Sequence, residues 1–479
     1  MRSHFEAMAA TRTHWVKVNQ YYYDDLERLY CSMIPAGARV LEIGSGTGDL
    51  LAAVKPAYGV GIDFSPAFVQ AARRRHPHLT FLEMDATALD LSESFDYVIL
   101  AGTLEYLSDI QEVLTRLRRV CTPQTRIIVN YHSYLWEPML HLGERIGQRM
   151  PLPAQSWLSG TDIANLLELT GYRVIKEGRR MLFPRRVPVL SSVLNRYVAQ
   201  LPIVNHLCLT GYLVARIDGP AVSKPEPGKP AQPDTEPASP YSCSVIIPAR
   251  NERGNIEAAM QRMPRLGRHT EIIFIEGHSS DGTFAEIERV AALYGAVWDI
   301  NVLKQDGKGK GDAVRKAFAA ATGDVLMILD ADLTVPPEDL PKFFDVIVSG
   351  RAEFANGCRL VYPRSREAMP LRNTLANKIF GSLFSYLLGQ PFKDTLCGTK
   401  ALWKRDYDKI VAGRSFFGDF DPFGDFDLLF GASKLNLHIV DVPVRYNERS
   451  YGQSNIQHTR EGLILLRMCA YASRKIKFI

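Results

Sequence analysis

The sequence has no cysteine pair spaced for zinc or redox chemistry, no apolar run long enough to span a bilayer, and no strong excess of either charge. Its seven cysteines, at 31, 121, 208, 243, 358, 397 and 469, are scattered and odd in number, which reads as reduced thiols in a cytosolic compartment. A spanning helix needs about 20 apolar residues, and the nearest candidate, Leu463 to Ala472, is cut by Arg467. The first thirty residues carry charges throughout and lack an apolar centre, so no signal peptide is expected. A formal net charge of +5 over 479 residues gives no reason to expect a nucleic-acid partner. No internal repeat is visible.

What is present is ordinary globular material, 46% hydrophobic and 23% charged, in a chain long enough for two large domains. Residues 217–241 hold seven prolines, mixed charges and almost no large apolar side chain, so they cannot bury a core and read as an extended spacer. On either side, short β-branched runs alternate with helical stretches, the pattern of α/β domains on mostly parallel sheets. The expected division is therefore 1–216, a linker at 217–241, and 242–479. Strands are expected at 39–43, 58–62, 79–82, 97–100 and 126–131 in the first half, and at 244–248, 271–275, 302–305, 325–329 and 353–356 in the second.

The first half carries VLEIGSGTGDL, which sets Glu42, Gly44, Gly46 and Gly48 between the first strand and a helix. Glycines there let the backbone turn tightly and approach a ligand. Position 49 is Asp, so the third glycine of a dinucleotide fingerprint is missing and a bound pyrophosphate is disfavoured. Asp63, ending the next strand, has the spacing to accept both hydroxyls of a ribose, and Asp85 follows the third strand. Together these motifs resemble the class I methyltransferases, over residues 30–215. The resemblance implies a Rossmann-like fold binding S-adenosylmethionine: Glu42 and Gly44–Gly48 at the methionine part, Asp63 at the ribose, Asp85 at the adenine. The family's leucine-glutamate-histidine reads Leu104, Glu105, Tyr106 here, which removes a histidine at that place. Tyr131 and His132, ending the fifth strand, are candidates to line the acceptor pocket or deprotonate a hydroxyl. Residues 133–157, irregular and rich in Leu, Met and Arg, are expected to cover the pocket.

In the second half, Asp330 and Asp332 leave the apolar run VLMIL one residue apart, a pair suited to one Mg²⁺ or Mn²⁺ and, through it, a diphosphate. With CSVIIPARNE, EIIFIEGHSSDGT, GKGKGD and RSYGQS, the region 242–460 resembles the family-2 glycosyltransferases of GT-A fold, in the dolichyl-phosphate mannosyltransferase-like branch. The resemblance implies that Pro248, Glu252 and Asp281 surround the nucleoside, that Lys310 and Gly311 lie in the nucleotide loop, and that Asp330 and Asp332 bind metal. It also implies that Arg359, Arg372, Arg449 and Ser454 clamp phosphates. Several family positions differ: Glu276–Gly277–His278 replaces two aspartates and a glycine, and Thr334 stands where the branch often has glutamine. His278 reads as a turn residue.

Two acceptors remain open. A polyprenyl phosphate is already anionic and needs no base, whereas a sugar hydroxyl would call for one, with Asp427 preferred over Asp419, Asp421 and Asp425. The expected donor is a GDP- or UDP-sugar, transferred with inversion to a polyprenyl phosphate or lipid-linked glycan. The apolar segment 371–388 reads as core or membrane interface, and the basic C-terminus suits an anionic bilayer, admitting peripheral attachment at the cytoplasmic face of a membrane. The expectation is a bifunctional enzyme; the other reading is one working glycosyltransferase with a domain that binds S-adenosylmethionine as a scaffold or sensor.

Overall fold

The computed structural model describes residues 2–107, 109–152, 157–218, 239–361, 371–416, 424–449, 451 and 458–477. The linker expected at 217–241 falls mostly outside the described residues. The chain divides into two compact units, Met1–Asp218 with Arg474–Ile479, and Gly219–Ser473.

The first unit opens with helices Arg2–Val18 and Gln20–Met33, then builds a seven-stranded sheet. Its strands are β1 (Arg39–Ile43), β2 (Tyr58–Asp63), β3 (Thr80–Glu83), β4 (Phe95–Ala101), β5 (Cys121–His132), β6 (Tyr172–Arg180) and β7 (Thr210–Ile217), in the order β3-β2-β1-β4-β5-β7-β6. The first five are parallel, as alternation with helices requires. The last two, absent from the sequence reading, add an antiparallel edge through the β5–β7 and β6–β7 ladders. Alternate residues of one strand feed opposite faces: Leu41 and Ile43 of β1 join one apolar cluster while Val40 joins the other. A sheet buried on both sides is what continuous β-branched runs encode.

The second unit repeats the plan with β8 (Cys243–Ala249), β9 (Thr270–Glu276), β10 (Asp299–Lys304), β11 (Val325–Ile328), β12 (Phe354–Cys358), β13 (Lys400–Trp403) and β14 (Ile439–Pro443). The order is β10-β9-β8-β11-β13-β12-β14, with β13 antiparallel to both neighbours and the other pairs parallel. The five expected strands form with ends shifted by at most three residues, the largest at the start of β10, whereas β13 and β14 escaped the pattern. Its core includes Val245, Ile247, Phe274, Met327 and Phe343. No helix among the described residues is long and apolar enough to cross a membrane.

Candidate functional site

In the first unit, the carboxyl ends of β1, β2, β4 and β5 open into a cavity of about 1320 Å³, lined by Glu42, Gly44, Gly46, Asp63, Asp85, Glu105 and His132 among others. Ligands bind at this edge of open parallel sheets because loop backbone, rather than strand, is exposed there. Gly44, Gly46 and Gly48 all have positive φ, at 70°, 52° and 76°. At Gly46 a Cβ would meet nothing within 4 Å, so the glycine leaves the loop open toward the cavity.

Glu42 is 3% exposed, and its Oε2 has no hydrogen-bond partner among the described residues. Burial, with Asp49 and Asp63 adding to it, pushes the carboxyl from 4.5 up to about 8, against a backbone hydrogen bond and Arg12. Ser45 Oγ in the same loop is likewise unpartnered. A buried polar group without a partner is costly, so this donor set fits a cationic amino-acid moiety that satisfies Glu42. Asp63 does not stand free: Gly46 N donates to Oδ2 and Ser65 N to Oδ1, each at 2.9 Å. It locks the glycine loop to β2, with lone pairs left for a ribose. Burial pushes its carboxyl up, while those two N–H groups pull it down. Asp85 is exposed and caps the turn Ala86–Ala88 by accepting from Thr87 N at 2.8 Å and Thr87 Oγ1 at 2.6 Å.

Tyr131 and His132 separate. Tyr131 faces the apolar core, close against Gly160 and Gly211. His132 faces the cavity. Its backbone N–H donates to Glu105 Oε1 at 2.8 Å, its Nδ1 lies 3.1 Å from the same oxygen, and its Nε2 is 3.2 Å from Tyr22 Oη. Residues 134–150 are more regular than expected, forming the helix Glu137–Arg145, and they supply cavity walls including Trp136, Met139, Leu142 and Ile146. The wall formed by the first two helices, which brings Arg12, Trp15 and Tyr22 to the cavity, is marked by no motif in the sequence.

In the second unit, β11 ends at Ile328, and Asp330 and Asp332 lie just beyond it. Each is held by a protein cation: Lys310 Nζ is 2.6 Å from Asp330 Oδ1, and Arg449 Nη2 is 2.7 Å from Asp332 Oδ2. Arg449 also reaches Glu252 Oε1 at 2.7 Å. Burial pushes Glu252 up to about 7, with Arg449 and Asn255 pulling down and Asp332 and Asp281 pushing up. Lys310 heads the helix Lys310–Ala320, and Gly398 lies so close that a Cβ there would collide with both Asp330 and Lys310. Among the described residues no group of three or more acidic, histidine or cysteine side chains is placed to hold a metal ion by itself. The residues still fit Mg²⁺ or Mn²⁺, since such ions are commonly held by one or two carboxylates plus substrate phosphates, and the Asp330 side chain is 32% exposed.

Pro248 sits in β8 beside Ile275 of β9. Asp281 accepts from Thr283 N at 3.0 Å, Arg253 N at 3.3 Å and Tyr451 Oη at 3.3 Å, tying three loops together. His278 is a turn residue as expected, with φ 59° and Nε2 3.0 Å from Gly307 O. Gly311 packs against Gly424, where a Cβ would fall 2.8 Å from the Gly311 Cα. Asp427, in the helix Asp425–Lys434, is 8% exposed, and its Oδ2 accepts from Arg414 Nε at 2.9 Å.

Arg359 follows β12 directly. It makes a forked pair with the fully buried Asp394, at 2.7 Å and 2.9 Å. Asp394 was not singled out in the sequence, because only the fold aligns it with Arg359 at the end of β12. The same region buries Lys400, whose Nζ donates to Asn356 Oδ1 at 3.0 Å and Cys397 O at 2.6 Å. Arg372 lies in the helix Leu371–Leu388. Ser454, Asp419 and Asp421 lie outside the described residues.

Residues 40–124 match the family model "Methyltransferase domain", and residues 244–411 match "Glycosyl transferase family 2". The chain is 30% identical over 223 residues to a dolichol-phosphate mannosyltransferase of Pyrococcus furiosus, covering 45% of this chain and 59% of that protein. It is 28% identical over 229 residues to a low-salt glycan biosynthesis hexosyltransferase of Haloferax volcanii, covering 46% and 51%. A dolichyl-phosphate hexose transferase of Haloferax volcanii is 30% identical over 209 residues, covering 43% of this chain and 83% of that protein. The chain thus spans between half and three fifths of the length of the first two and most of the third. By its second unit the chain belongs to glycosyl transferase family 2, of GT-A-like fold, and by its first it carries a methyltransferase domain, so two enzyme families are joined in one polypeptide.

Proposed function

We propose that the chain is bifunctional, with a methyltransferase in residues 1–216 using S-adenosylmethionine and an inverting hexosyltransferase in 242–479 acting on a polyprenyl phosphate or lipid-linked glycan. The observation that carries the second activity is the alternation of charge at the end of β11, Lys310 on Asp330 and Arg449 on Asp332. Asp330 and Asp332 would hold a divalent cation, whose contribution is neutralisation of the donor diphosphate. Lys310 and Arg449, released from the two carboxylates, move onto phosphate oxygens, where a guanidinium can bind bidentately. Glu252 and Asp281 bind and orient the nucleoside end. With an anionic lipid phosphate as acceptor no base is needed, and Asp427 serves to anchor its helix through Arg414. The names of the relatives support that acceptor. Exposed Leu375 and Ile379 on the helix Leu371–Leu388 support a peripheral position at the cytoplasmic face of a membrane.

In the first domain, Glu42 and the Gly44–Gly48 loop hold the amino-acid part of the methyl donor, Asp63 its ribose and Asp85 its adenine, and the donor supplies an activated methyl group. Catalysis then rests on proximity and orientation within the cavity. The test is purified chain with labelled GDP- and UDP-hexoses, Mg²⁺ or Mn²⁺, and a polyprenyl phosphate. Labelled lipid with wild type and at least a hundredfold less with D332A is the expected outcome. Equal turnover by both proteins would sink the metal assignment.

A further inference from the structure

Resting on the methyltransferase reading, we propose that His132 Nε2 is the general base of an O-methylation, and that the acceptor is a hydroxyl on an amphipathic molecule whose apolar part lies along the helix Glu137–Arg145. Glu105, 3% exposed, accepts from His132 N at 2.8 Å and has both carboxylate oxygens within 3.1 and 3.3 Å of Nδ1. Burial pushes the Glu105 carboxyl up, but His132 and, more weakly, Arg149 hold it below the usual range, so it stays an acceptor. In the neutral imidazole Nδ1 therefore carries the proton and Nε2 is the acceptor, 3.2 Å from Tyr22 Oη. Tyr22 stacks on the imidazole with ring centroids 5.8 Å apart, and both side chains line the cavity. A carboxylate behind one ring nitrogen and a cavity before the other is the arrangement a base needs, since the imidazolium formed is stabilised where it sits.

Position favours the same role. His132 ends β5 and Glu105 lies in the turn Leu104–Tyr106 after β4, while the glycine loop follows β1. Strand order places β4 between β1 and β5. Two strand spacings, about 10 Å, thus separate the donor loop from the base, leaving room for one acceptor oxygen between a methyl carbon and Nε2. The hydroxyl displaces Tyr22 Oη at Nε2 and its oxygen attacks the methyl carbon. The carbon–sulfur bond breaks with its electron pair staying on sulfur, so the sulfonium becomes a neutral thioether. The hydroxyl proton passes to Nε2 and then to solvent. Glu105 touches no substrate and is a positioning residue.

The acceptor class comes from the walls. Trp136, Met139, Leu142, Ile146 and Phe183 line the cavity, and Met139, Leu142 and Ile146 are 58%, 48% and 61% exposed. Pockets for one small molecule commonly run to about 300–1,000 Å³, so the 1320 Å³ here holds the donor and a second, largely apolar molecule.

The experiment uses the full chain, methyl-labelled S-adenosylmethionine and a set of octyl hexopyranosides as probes, with donor affinity measured separately by calorimetry. Wild type should label a probe. H132Q should lose at least a hundredfold in kcat, as a base commonly contributes, with donor Kd within about threefold of wild type. E105Q should lower kcat about tenfold or more and leave KM and donor Kd unchanged. H132Q turning over like wild type would overturn the proposal, as would a wild type that binds the donor and labels no probe. Loss of donor binding in both H132Q and H132N would make His132 a structural residue and end the proposal. A wild type that fails to bind the donor would instead remove the methyltransferase reading beneath it.

Discussion

Changing Glu42 to glutamine removes a carboxyl whose ionisation the ligand-free fold resists and a cationic donor demands. Burial moves that group from 4.5 to about 8. At about 1.4 kcal/mol per tenfold change in proton affinity, the displacement is worth roughly 5 kcal/mol, an order-of-magnitude figure. Because the folded value is raised, the stability linked to the bound proton is full below about pH 4.5 and is lost as pH climbs toward 8. Glutamine cannot ionise, so E42Q and wild type should melt alike near pH 5, and by pH 9 E42Q should be the more stable by a few kcal/mol. Scanning calorimetry of the full chain, following the transition that S-adenosylmethionine shifts in wild type, measures this. The same group reports on binding. At pH 7 a carboxyl titrating near 8 is about 90% protonated, so donor binding that ionises it should release roughly 0.9 proton. Calorimetry in buffers of different ionisation heat should detect that release in wild type and, in E42Q, at least tenfold weaker binding with none. Proton release that is absent in wild type, or equal in both proteins, would refute the reasoning about Glu42.

Gly46→Ala should cost about 1–2 kcal/mol of backbone strain and weaken donor binding at least tenfold, since its methyl would enter the cavity. Gly37→Ala, also at positive φ and in open space but outside the cavity lining, should share the strain and spare the Kd. Arg359→Ala should destabilise the second domain by about 3–5 kcal/mol in thermal unfolding, because Asp394 is left buried and unpaired; a residue serving only an acceptor phosphate would change KM alone. Lys310→Ala should raise KM for the sugar nucleotide by roughly 10- to 100-fold, the worth of one charge-assisted contact. Its melting temperature should hardly move, because the pair with Asp330 is partly exposed.

What the sequence determined by itself is local in origin. β-branched runs one strand long, glycines at strand-to-helix turns and acids just beyond strand ends follow from periodicity and backbone sterics, and those segments carry most of the residues proposed to bind the donors. The edge strands β6, β7, β13 and β14 were less legible, since antiparallel partners distant in sequence decide them. Pairings of side chains were not legible at all. Glu105 meets His132 across 27 residues, Tyr22 meets His132 across 110, and Arg449 meets Glu252 across 197. The motif suggests a phosphate for Arg359, and only the fold shows that its guanidinium is also the partner of the fully buried Asp394, a carboxylate that would be costly without a cation. A charged group's partner is set by competition among all groups brought within reach, and only the packed chain determines which those are.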